Sequence, residues 1–307
     1  MINKLPFITI IMNCYNGEKY LDDAIISIIN QTYKNWELIF YDNNSTDKSS
    51  KIFYKYLLKD SRLIYHKSDV TDTLMEARNK AILLSKGELI SFLDVDDMWF
   101  DDKLELQVKE FNNPKVGVVC GNFIKINERN EIHSKKIAYN ILPSGDVIND
   151  LLLDNFVHMS SLIFRKKALY SLEYIFNPIF HIVGDLDLLL RINLKWDLIS
   201  IQKPITYYRW HNENSGYLSG FLYSEELDYL LEQIKKYPEI INKQNFKKFS
   251  EQVHWIRAIR YIDNGEKLKL FGIFKKLNYL NMFKVFFSLF IPSKILKSRI
   301  QKQKKKA

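Results

Sequence analysis

The sequence predicts an α/β fold: a mostly parallel central sheet between helices, followed by a helical C-terminal extension. Three observations point there. Strand-length apolar runs alternate with segments of helical apolar spacing from Phe7 to Cys120. Those strand runs are continuous in apolar character, as in strands covered on both faces. From about Leu222 onward the pattern is mainly helical.

Phe7 to Met12 is the first strand. After a turn at Asn16-Gly17, Leu21, Ala24, Ile25 and Ile28 recur at helical spacing, and Trp36 to Tyr41 is the second strand. Asn44 to Asp47 supply helix-start residues ahead of Ile52 and Tyr56. Leu63 to His66 is a third strand; a helix through Met75, Ala77, Ala81 and Leu84 is expected to stop at Gly87. Leu89 to Leu93 is a fourth strand, a helix runs through Leu104, Val108 and Phe111, and Val116 to Cys120 is a fifth strand. Between Asn127 and Asn155 the pattern is irregular. Ser161 to Phe164 reads as a strand, Asp187 to Lys195 as a helix and Ile205 to Trp210 as a strand. The expected division is a catalytic domain over 1–220, with halves 1–125 and 126–220, and a helical region over 221–307.

The chain has 307 residues, 47% hydrophobic and 26% charged, which suits a globular protein with a sizeable core. Its two cysteines, Cys14 and Cys120, share no ligand spacing with histidines and read as buried thiols in a reducing compartment. The N-terminus lacks an apolar stretch before a small-residue cleavage site, so no signal peptide is expected. Of the +9 net charge, Glu266 to Ala307 carries twelve Lys or Arg against one Glu, leaving −2 on residues 1–265. A nearly neutral body argues against a nucleic-acid partner.

Polar residues collect at strand ends, where open α/β sheets bind ligands. Asp94-Val95-Asp96-Asp97 follows the fourth strand with three carboxylates in four positions. Like charges so close are costly without a cation, and oxygen ligands suit Mg²⁺ or Mn²⁺. The alternative is that Asp96 or Asp97 caps a following helix. Tyr15, beside Asn16-Gly17, can offer a flat face to a nucleobase or sit as a rim or core tyrosine. Asp42 can accept from a base N–H, while Asn44 to Asp47 can serve as helix caps.

These residues carry a resemblance. Ile8 to Asn16, Tyr20-Leu21 through Ser27 to Tyr33, Asp42 to Asp47, Ala77-Arg78-Asn79-Lys80-Ala81 and Asp94 to Asp97 resemble, in order and spacing, family 2 glycosyltransferases of the GT-A fold. The likeness continues more loosely to about Ser215. It implies that Tyr15, with Asn16 beside it, stacks on a base, usually uracil, and that Asp42 binds that base. It implies Arg78 near the diphosphate, Asp94 near ribose and metal, and Asp96 on Mn²⁺ or Mg²⁺. Two departures stand near the base: Asn13 where the family often has Pro, and Asp42-Asn43-Asn44 where it often has Asp-Asp-Gly.

Gly184-Asp185 resembles the family's Glu-Asp pair, whose Asp is the general base; Gly184 replaces the Glu. A carboxylate in reach of an acceptor hydroxyl removes its proton during attack. Proximity to Asp187 and partial burial are expected to raise the Asp185 pKa; a helix-capping role is the alternative. Arg191 matches the family's arginine six residues on, facing diphosphate or acceptor. Tyr207 to Ser215 resembles the Arg-x-His segment that folds over the donor, which puts Arg209 on the diphosphate and His211 on diphosphate or metal; a surface loop is the other reading.

The resemblance implies inverting, metal-dependent transfer from a nucleotide-sugar, a UDP-sugar, to a saccharide or lipid-linked saccharide in bacterial surface-glycan synthesis. A nucleotidyltransferase would want a glycine-rich basic loop, and Asn13 to Lys19 holds one Gly. A dinucleotide oxidoreductase would want G-x-G-x-x-G after the first strand. A degenerate sugar-nucleotide-binding scaffold has no need of Asp94, Asp96 and Asp185 together. The apolar Met282 to Ile291 is shorter than the roughly 20 residues that span a bilayer. With the lysine-rich end it suits an anionic membrane surface through residues 280–307, or else a packed helix. The expected location is cytoplasmic, peripheral on the inner face of the cytoplasmic membrane.

Overall fold

The computed structural model describes residues 5–132, 137–211 and 220–277, and residues 282, 283, 285 and 286. Residues 212–215 of the Arg-x-His segment, and the tail over 280–307 apart from those four positions, lie outside the described residues. The chain divides into two compact units, Met1–Asn214 and Ser215–Ala307.

In the first unit, β1 (Ile8–Cys14), β2 (Trp36–Asp42), β3 (Leu63–Lys67) and β4 (Leu89–Phe92) run parallel in the order β3-β2-β1-β4. The helices α1 (Leu21–Ile29), α2 (Ser49–Leu57) and α3 (Leu74–Leu83) connect them. Past β4 the sheet becomes mixed. β7 (Ile163–Arg165) is antiparallel to β4, and β6 (Val116–Ile126) is antiparallel to β7. β8 (Asp197–Arg209) runs parallel to β6, and β5 (Met98–Trp99) lies antiparallel to β8 at the edge. Shorter helices α4 (Lys103–Val108), α5 (Ile148–Leu151) and α6 (Lys166–Leu169) precede α7 (Gly184–Ile192).

The continuous apolar runs explain the parallel half. Ile8, Ile10 and Met12 of β1 and Leu38 and Phe40 of β2 bury one sheet face against Leu21, Ala24, Ile25 and Ile28 of α1. Each such side chain contributes about 1.5–3 kcal/mol. Register then brings the strand ends level, Cys14 opposite Asp42 and Asp42 opposite Lys67. The polar residues that follow therefore share one edge of the sheet.

Four local expectations change. α3 ends at Leu83, not at Gly87. Gly87 is needed for close approach: a Cβ there would lie 2.4 Å from Thr9 N and 2.6 Å from Leu89 O. Its start is a capping box of Thr73 and Glu76. Neither Asp96 nor Asp97 caps a helix, because the next element is β5. The strands expected over 116–120 and 205–210 are the most regular parts of longer strands. Register shifts around Gly121 and Asn122 broke their periodicity. α7 begins at Gly184, three residues earlier than its apolar pattern indicated.

The second unit contains α8 (Gly220–Ile234), α9 (Pro238–Ile241) and α10 (Phe246–Asp263). Asp228 of α8 pairs with Arg257 of α10 at 2.6 Å, and Ala258, Ile262, Leu270 and Ile273 share a small core. Among the described residues no helix is long and apolar enough to cross a membrane.

Candidate active site

The ends of β1 and β2 form a cleft of about 410 Å³, lined among others by Tyr15, Asn43, Asp72, Thr73 and His181. Tyr15 is 56% exposed, which separates it from a core tyrosine and leaves its ring available to a flat ligand. Asn16 and Asn44 hold left-handed φ values of 53° and 64°. Asn tolerates that region better than other side chains, so Asn44 can serve at a place where glycine is common. Asn16 Oδ1 accepts the Thr46 N–H at 2.8 Å, tying the β1 turn to the β2 turn. Asn43 exchanges two hydrogen bonds with the Asp72 backbone, at 2.9 and 3.0 Å.

Asp42 is buried beneath these turns. Its Oδ1 accepts the Ser45 N–H at 2.8 Å and its Oδ2 the Tyr65 hydroxyl at 2.6 Å. It therefore braces the turn, with acceptor capacity left over, since a carboxylate offers about four lone-pair sites. Asp47 ties the β1 turn to the approach to α2, its carboxylate accepting from Glu18 N at 2.9 Å and Ser49 N at 3.0 Å. The N-cap position itself is Lys48, with no side-chain cap bond.

The three carboxylates after β4 separate into different roles. Asp97 turns inward, fully buried, and accepts from Ser160 Oγ at 2.6 Å and Arg209 N at 3.0 Å. His158 Nε2 meets the same Oδ2 as Ser160, at 2.6 Å. Asp94 stays one-third exposed and takes the Arg78 guanidinium at 3.0 Å. Arg78, itself buried, lies over the rings of Phe92 and Phe176. Asp96 Oδ2 lies 2.9 Å from His211 Nε2. Burial raises the Asp96 pKa, with Asp97 and Asp94 adding to the rise against His211.

A bound cation would oppose the rise that burial and the two neighbouring carboxylates impose on Asp96. Among the described residues no three His, Cys, Asp or Glu side chains converge as a complete metal cage. Asp96, with Asp94 and His211 beside it, fits a Mg²⁺ or Mn²⁺ that takes one or two protein groups, waters and substrate phosphates.

Asp185 opens α7. Its Oδ1 accepts the Leu186 N–H at 2.7 Å, so part of its capacity serves the helix start. Burial raises its pKa, opposed by that N–H, by Arg78, by the Asn155 side chain and by His158. The direction is as expected, but Asp187 is not the cause, being engaged by Arg191. A Cβ on Gly184 would lie 2.7 Å from Met75 Sδ, so Met75 fills the space of the missing glutamate.

Two arginines make contacts inside the protein. Arg191 is buried and spends its guanidinium on Asp187, at 2.6 and 3.0 Å, and on the carbonyls of Tyr174 and Ile175. It anchors a loop to α7. Arg209 is also buried; it donates to Asp96 O at 2.7 Å, to Asp23 at 3.1 Å and to Asn130, and lies 4.4 Å over the Tyr20 ring. It holds the Asp96 turn from behind. His158, Ser160, Asp72 and His181 joined the site without a sequence signal, because single polar residues in irregular segments carry no period.

The family model described as "Glycosyl transferase family 2" matches residues 9–172. An Escherichia coli protein named UDP-Glc:alpha-D-GlcNAc-diphosphoundecaprenol beta-1,3-glucosyltransferase WfgD is 34% identical over 140 residues, 44% of this chain and 54% of that protein. The chain thus spans about half the length of the curated relatives it matches. The crystal structure of S. aureus TarS 1–349 in complex with UDP-GlcNAc superposes with a TM-score of 0.61 at 17% identity, over 91% of this chain and 79% of that one. The Pyrobaculum calidifontis mannosyltransferase PcManGT, in complex with GDP-Man and Mn2+, gives 0.60 at 17%, over 98% and 81%. At such identities the two structures establish the fold, a GT-A-type α/β architecture.

Proposed function

The chain belongs to the family 2 glycosyltransferases, and from that premise we propose that it moves a sugar from a UDP-sugar to a saccharide or lipid-linked saccharide, inverting the anomeric centre. The observation that carries this reading is convergence. Asp94 at the end of β4 and Asp185 at the start of α7 are linked through Arg78, which pairs with Asp94 and whose charge acts on Asp185. Asp96 stands close enough to Asp94 to feel its charge. Next to them opens the cleft bearing the exposed ring of Tyr15.

In this scheme the base stacks on Tyr15, with Asn16 and Asp42 holding the turns around it. Asp185 takes the proton of the acceptor hydroxyl, whose oxygen bonds to the anomeric carbon as the bond to the diphosphate breaks. A raised pKa makes Asp185 a better proton acceptor than an ordinary carboxylate once ionised. Asp96, with His211 beside it, would hold Mn²⁺ or Mg²⁺, and Asp94 would lie near the ribose. When bound, such an ion would supply Lewis-acid stabilisation of charge on the departing diphosphate. The named substrate of the Escherichia coli relative, a diphosphoundecaprenol-linked GlcNAc, supports a lipid-linked acceptor and a role in bacterial surface polysaccharide synthesis.

Nucleotide release from UDP-glucose, UDP-galactose, UDP-GlcNAc and GDP-mannose, with Mn²⁺, Mg²⁺ or EDTA, tests the proposal. Turnover of a UDP-sugar that EDTA abolishes is the expected result. No release from any donor, joined to no UDP or GDP binding by calorimetry, contradicts it.

A further inference from the structure

Phe123 on β6, Tyr139, His158 and Tyr208 on β8 form one continuous aromatic group. Ring centroids lie 5.4 Å apart for Phe123–His158, 4.7 Å for His158–Tyr208, 5.9 Å for Phe123–Tyr208 and 6.3 Å for Phe123–Tyr139. A core cluster would be buried throughout. Here all four rings keep some exposure, His158 with 16% of its side chain accessible, while Phe156, packed against Tyr139, is 4% exposed.

The rings are held in place. Asn122 donates to the Tyr139 carbonyl at 2.5 Å and accepts its N–H at 3.2 Å. His158 is fixed by the buried Asp97 at 2.6 Å. The polar fringe is carboxylate on both sides. Asp154 engages the Tyr139 phenol, and the charges of Asp94, Asp96 and Asp97 act on Tyr208 and His158. His158 also acts on Asp185. The group therefore lies beside the turn over residues 94–97, and Asn155, three residues before His158, hydrogen-bonds to Asp185, the carboxylate proposed as base. Phe123 and Tyr208 stand on β6 and β8, away from the β1 and β2 ends that carry the nucleotide cleft.

We propose that Phe123, Tyr139, His158 and Tyr208 are the acceptor-saccharide wall, taking the apolar C–H face of the pyranose ring that presents its hydroxyl to Asp185. A pyranose is suited to such a surface, because its ring C–H groups pack on aromatic faces while its hydroxyls reach the flanking carboxylates. This inference rests on the glycosyl-transfer reading.

The test is saturation-transfer NMR on the full chain with saturating UDP and Mg²⁺. The probes are methyl α-D-glucopyranoside and methyl 2-acetamido-2-deoxy-α-D-glucopyranoside. Saturation of the aromatic proton region is expected to reach the ring C–H protons of at least one probe. Phe123→Leu and Tyr208→Leu should weaken that probe about tenfold, while Tyr208→Phe should not. UDP affinity, measured by calorimetry on each variant, should hold at the wild-type value. Unchanged probe affinity in the leucine variants, displacement of the probe by UDP, or no transfer to either probe overturns the wall. UDP binding without glycoside binding removes only this inference. Loss of both in the wild type removes the glycosyl-transfer reading with it.

Discussion

Arg191 shows how a residue can keep a family position while its chemistry is spent inside the protein. Its guanidinium is saturated by Asp187 and two carbonyls. Burial raises the Asp187 pKa and Arg191 opposes that rise. Replacement by methionine should therefore strand a buried carboxylate and cost about 3–5 kcal/mol in chemical denaturation. UDP affinity per folded molecule should stay the same; a diphosphate-binding arginine would show the reverse. Spacing alone could not distinguish these cases, since both need a cation at one place on the helix. Tyr15, Asn16, Asp94, Asp96 and His211 were legible because each follows a strand end or turn. Asp97 was legible as a charge, but its inward direction came from Ser160 and Arg209, far off in sequence.

At the scale of elements, the parallel half was readable because each strand is a continuous apolar run and each helix shows its own period. β6 and β8 were read short, since their pairing passes through register shifts that interrupt alternation. α4 hides a feature with no sequence signal at all. Lys103 is fully buried, its Nζ 3.1 Å from Ser91 Oγ on β4 and 4.0 Å from the Trp99 ring centre. Burial pulls its pKa well below the usual 10.5. The unfolded chain therefore binds a proton that the folded chain refuses, and stability rises with pH from the lowered folded value up to about 10.5. Lys103→Met removes that difference and should stabilise the protein by about 1–3 kcal/mol near neutrality. Denaturation midpoints at about pH 7 and about pH 10 check the sign: the gain must shrink at the higher pH.

Across the whole molecule, the proposed catalytic residues come from segments that only the complete sheet brings together. Arg78 of α3 pairs with Asp94 after β4 and acts on Asp185 of α7, while His211 after β8 meets Asp96. If Asp185 is the base, the acid limb of kcat/KM must lie above the ordinary carboxylate value of 3.8, because burial favours its neutral form. The most direct measurement is therefore nucleotide release by Asp185→Asn beside the wild type, in the donor and acceptor that the wild type turns over. Donor affinity is followed in parallel by calorimetry. A fall of about 100-fold or more in release, with donor affinity unchanged, is the predicted result. Release at the wild-type rate, with its acid limb intact, would contradict the assignment of Asp185 as the base.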